Sequence, residues 1–143
     1  MFAYFYLPLI LLLLFPLVVT VQYEQERYSV EEEAGRVTLA LVLDKAVPFP
    51  VTVIVNTLDL LNSSVGDAAT ADVDYTPRGP FEITFPAGIT RQEYTVDIID
   101  DFIPENSEFF NADVNARTED ASIVVIGSPK QPLIEVPDLR DGE

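Results

Sequence analysis

The chain has no cysteine, no histidine and no tryptophan among its 143 residues. Without cysteine no disulfide can staple the fold, so stability must come from a packed core or from a bound ligand. The same absences remove the usual zinc donors and every nucleophile system built on cysteine or histidine. Only oxygen donors remain for a metal, and these select hard cations such as calcium. Positive charge is also scarce: 8 Lys and Arg stand against 24 Asp and Glu, a formal net charge of −16. No nucleic acid partner is expected, because phosphate binding needs a basic face. An acidic surface instead attracts cations or keeps a domain soluble by self-repulsion.

Charge of either sign is missing from the first 21 residues, "MFAYFYLPLILLLLFPLVVTV". This stretch, 1–21, reads as a signal peptide or a signal anchor. Its apolar core from Leu7 to Val19 suits a signal h-region, with Val18 and Thr20 near a cleavage point. The run is also long enough to span a bilayer, which takes about 20 apolar residues, and membrane helices tolerate prolines such as Pro8 and Pro16. The expected mature chain begins near Val21 or Gln22, secreted or on the extracellular face of a membrane. A membrane contact is expected only through this segment if it is retained, or through a C-terminal region beyond the chain. Asn62 in "NSS" fits the N-glycosylation tripeptide.

What is present beyond residue 21 is mostly strand and turn. "RVTLALVLDK" (36–45) alternates Val37, Leu39, Leu41 and Leu43 on one face, the period of a half-buried strand. "VTVIVNTL" (51–58) is β-branched and alternates again, after the break at Pro48 and Pro50. A turn-rich stretch, 62–80, leads to "FEITF" (81–85) and a Pro86–Gly88 turn. "RQEYTVDII" (91–99), "EFFNADV" (108–114) and "LIEV" (133–136) complete the set, and "ASIVVIG" (121–127) is either a strand or a packed loop. About seven short strands with frequent turns predict an all-β sandwich. The expected inward positions are Val37, Leu39, Leu41, Val53, Val55, Phe85, Tyr94, Val96, Ile98 and one of Phe109 or Phe110.

"IIDDFIPENSEFF" (98–110) concentrates four carboxylates on one short connection between strands. Together with "SVEEEAG", "ADVDYTP", "ITFPAG" and "LIEVPDLRDG", in that order, it resembles the Calx-β domain family, modules of sodium/calcium exchangers and extracellular adhesion proteins. The likeness covers 27–141. It implies an immunoglobulin-like antiparallel sandwich of about seven strands. It also implies calcium ligands gathered at one end of the sandwich: Glu32, Asp74, Asp100, Asp101, the backbone carbonyl of Ile103, Glu105, Glu108 and Asp138, with Asp141 beside the last. Taken by itself, Glu32 between Glu31 and Glu33 reads equally as a solvent-facing charge. The pattern departs from the family at Phe102, inside the first acidic run, and at Leu139 and Arg140, inside the second. One or two calcium ions are therefore expected.

Two functions follow from these residues. One is a calcium-binding extracellular module of adhesion or cell communication, partnered by neighbouring Calx-β domains or other adhesion proteins. The other is a metal-free structural spacer of a larger membrane or matrix protein, its acidic surface serving solubility. No enzyme is expected: paired carboxylates can cleave glycosides, but no sugar-binding aromatic pattern accompanies them.

Overall fold

The computed structural model describes residues 18–60, 63–102 and 106–137. Among these residues ten strands run β1 (Val19–Tyr23), β2 (Arg27–Ser29), β3 (Arg36–Leu43), β4 (Val51–Asp59), β5 (Asp67–Ala68), β6 (Phe81–Phe85), β7 (Arg91–Asp97), β8 (Glu108–Ala116), β9 (Val124–Ile126) and β10 (Leu133–Val136). They form two sheets that pack as a sandwich, one in the order β7-β3-β1-β9 and one in the order β2-β10-β8-β4-β6, with β5 beside β8. The only helical elements among the described residues are single 3-10 turns, such as Glu32–Ala34. No helix there is long and apolar enough to cross a membrane.

The alternation seen in the sequence sets the core. Every expected inward residue is buried, and both Phe109 and Phe110 are, rather than one of them. Alternate residues of β3 and β4 point between the sheets, as the period of two requires. Four tyrosines add polar ties inside this core. The Tyr23 hydroxyl donates to the Asp113 carbonyl at 2.9 Å, which leaves Tyr94 to donate to Tyr23 at 2.6 Å. Burial pushes both phenols above the usual tyrosine range, so both stay protonated donors. Tyr28 shares its hydroxyl with the carbonyl and amide of Ala40, and Tyr75 reaches Asp59. With no disulfide available, these bonds and the apolar packing hold the sheets together.

Three strands escaped the periodicity argument. β2 and β5 have three and two residues, too short for a period to show. β1 overlaps the end of the apolar run, 1–21, expected to be a separate leader. It sits between β3, antiparallel, and β9, parallel, and Val19, Val21 and Tyr23 are fully buried. A boundary near Val21 or Gln22 would divide this strand. The pairings β1–β9, β2–β10 and β5–β8 are parallel, where an antiparallel sandwich was expected throughout. The 121–127 stretch resolves into the short strand β9 after a 3-10 turn.

Losing Val19 and Val21 removes about 1.5–3 kcal/mol of burial for each, against a total stability of about 5–15 kcal/mol for an ordinary domain. A chain trimmed to begin at Gln22 is expected to lose its cooperative thermal transition, while one beginning at Val18 keeps it. Circular dichroism melts of the two chains check this.

Candidate metal centre

Three segments meet where β7 ends. Ile98 donates its amide hydrogen to the Gly35 carbonyl at 2.9 Å, and Ile99 donates to the Asp74 carbonyl at 3.0 Å. The first bond extends the antiparallel ladder in which Arg36 of β3 faces Asp97 of β7. The second joins a loop, held further by Thr76 donating to Asp97 at 2.9 Å. The chain from Ile98 is thus fixed on both sides as it enters the acidic turn.

Glu32 reaches this point from the opposite side of the ladder. It opens the 3-10 turn Glu32–Ala34, which Gly35 closes at φ +82 by donating its N–H to the Glu32 carbonyl at 3.2 Å. A left-handed residue is what lets the chain reverse here and enter β3 at Arg36. The consequence is geometric: carboxylate oxygens of Glu32, Asp100 and Asp101 lie within 4.8 Å of one another. Glu32 is buried, Asp100 half-buried and Asp101 exposed, a gradient from core to solvent. Asp100 Oδ1 also accepts the Phe102 amide at 2.9 Å, which turns the chain at Phe102 with φ +61.

Three carboxylates at this spacing suit a hard cation. Two oxygens on opposite sides of a calcium ion, each about 2.4 Å from it, are about 4.8 Å apart. Left without a cation, two unit charges 4–5 Å apart repel by about 3–4 kcal/mol at an effective dielectric near 20. Calcium takes six to eight oxygens. Three carboxylates give three to six donors, and water or carbonyls can complete the shell.

The other residues expected at the site fare differently. Asp74 is buried beside the cluster but outside it, its Oδ2 accepting the Thr70 amide at 2.7 Å. Its contribution at this point is its carbonyl, which holds Ile99. Glu108 heads β8, between Val136 of β10 and Asp67 of β5, and is also outside the three-carboxylate group. Ile103, Glu105, Asp138 and Asp141 lie outside the described residues, as does Asn62. The sequence reading missed Thr70 and Gly35's carbonyl, because backbone partners leave no side-chain signature.

A family model for the Calx-beta domain matches residues 17–139. Among solved structures, the apo-form Calx CBD1 domain is 23% identical, with a TM-score of 0.71 over 85% of this chain and 97% of that one. The Calx CBD2 domain is 13% identical, with a TM-score of 0.70 over 85% and 88%. A structure of the calcium binding domain CBD12 of CALX1.1 is 24% identical, with a TM-score of 0.70, and this chain covers 44% of its length. At these identities the likeness establishes the fold. No curated protein matches the chain.

The Gly35 turn supplies a prediction that needs no ligand. A Cβ there meets nothing within 4 Å, so the cost of substitution is purely conformational. Gly35→Ala is expected to destabilise the domain by about 1–2 kcal/mol, and Gly35→Asn by less, since Asn tolerates the left-handed region. Denaturant unfolding of both variants measures the difference.

Proposed function

The chain belongs to the Calx-beta domain family, and from that membership we propose that it is a calcium-binding module. The observation that carries the proposal is the convergence of Glu32, Asp100 and Asp101 from two separate loops. Calcium bound there neutralises carboxylates that the fold forces together and ties the 32–34 turn to the chain leaving β7. Asp74, Ile103, Glu105, Glu108 and Asp138 are proposed as further donors to the same ion or to a second one. An extracellular setting rich in calcium suits such a site, with adhesion or cell communication as the role and neighbouring Calx-β domains as partners. The segment ahead of Val19 is proposed as the leader or anchor that delivers the domain there, its boundary upstream of β1.

The spacer reading has two observations in its favour. Asp74, expected among the ligands, has an oxygen committed to Thr70, and Phe102 stands where a longer acidic run would continue. On that reading the carboxylates tolerate one another without a metal.

Calcium separates the two. An ion that binds only the folded state stabilises it by about 2.7 kcal/mol at a hundredfold excess over Kd, a rise on the order of 10 °C in Tm for a domain of this size. Magnesium is expected to give a smaller rise, because it sheds water reluctantly and demands octahedral geometry. Asp100→Asn with Asp101→Asn is expected to abolish the calcium-dependent rise and leave the calcium-free fold intact. An unmutated chain that melts at one temperature in millimolar calcium and in chelator supports the spacer instead.

A further inference from the structure

We propose that Asp59, at the end of β4, is a positioning residue for calcium binding that acts through Tyr75; the inference rests on the calcium reading above. Tyr75 spans the two sheets. Its hydroxyl donates to Asp59 Oδ1 at 2.7 Å, and its ring stacks on Phe110 with centroids 3.9 Å apart and planes 7° from parallel. Both partners belong to one sheet, where the β4–β8 register sets Asp59 opposite Phe110. The backbone of Tyr75 serves the other sheet, bridging to Ile98 just beyond β7. The next bond along, from Ile99 to the Asp74 carbonyl, leads directly into Asp100 and Asp101.

The loop carrying Tyr75 closes on itself, with Asp72 donating its amide to the Tyr75 carbonyl and Asp74 to the Thr70 carbonyl, each at 2.8 Å. Asp72 turns the chain there at φ +67, a left-handed conformation that Asp tolerates. The buried Tyr75 side chain pins this loop to the sheet of β4 and β8, and the bond to Asp59 fixes how deep the ring sits against Phe110. Removing that bond lets the Asp74–Tyr75 segment shift, and Ile99, Asp100 and Asp101 shift with it. Asp59 thereby sets the spacing of ligands it does not itself join.

The test is calcium titration calorimetry on the full chain and on Tyr75→Phe, Asp59→Ala and Asp59→Asn, with a calcium-free melt of each. Tyr75→Phe and Asp59→Ala are each expected to weaken calcium binding about three- to tenfold, the range of one hydrogen bond. Combining them is expected to weaken it no further, and Asp59→Asn should bind nearly as well as the unmutated chain, because its amide oxygen still accepts. Variants with lower melting temperatures but unchanged Kd overturn the positioning role. Equal weakening by Asp59→Ala and Asp59→Asn with none in Tyr75→Phe also overturns it, in favour of plain charge attraction. An unmutated chain that gives no binding heat overturns the calcium reading and this inference with it.

Discussion

Two backbone hydrogen bonds, donated in succession by Ile98 and Ile99, organise the acidic end of this sandwich. Successive residues of an extended chain present their amides to opposite sides, so one bond reaches Gly35 and the next reaches Asp74. The first pulls the Glu32 turn against the exit of β7, and the second pulls in the loop built on Tyr75. Without both, Asp100 and Asp101 would leave the sheet with no fixed direction. The carboxylates come together because one bond extends the ladder past the Arg36–Asp97 pair and the next joins the loop at Asp74, which is a property of the backbone and not of the charges.

That arrangement opposes the electrostatics of the bare chain. A domain with a net charge of −16 already repels itself, and clustering three carboxylates adds to the repulsion. The sandwich offsets this with apolar packing and with buried phenols that tie strand to strand, as Tyr23 and Tyr94 do between β1 and β7. Tyr75 extends the same device to the loop end, stacking on Phe110 while its hydroxyl meets Asp59. The Tyr23 hydroxyl also crosses to the other sheet, where it donates to the Asp113 carbonyl.

Strands with an alternating apolar face were legible in the sequence, because burying one face of a sheet writes a period of two into the chain. β3, β4 and β7 are the clearest instances, and their inward residues all reach the core. β1 was not legible as a strand. Its residues continue an uncharged run, and composition cannot separate a leader from a central strand buried on both flanks. β2 and β5 owe their existence to partners already in place rather than to their own pattern. The acidic turn was legible through its likeness to a family, which placed Glu32 with Asp100 and Asp101 across 68 residues of sequence. The side-chain partner of Asp74 was hidden, since an amide donor four residues away can be any residue type.

The central claim is that Glu32, Asp100 and Asp101 share one cation. Crystals of the chain grown in calcium, measured for anomalous scattering, test it most directly. The account predicts an anomalous peak about 2.3–2.6 Å from an oxygen of each of the three side chains. Well-ordered carboxylates at that position with only water between them, in crystals held at millimolar calcium, would contradict it.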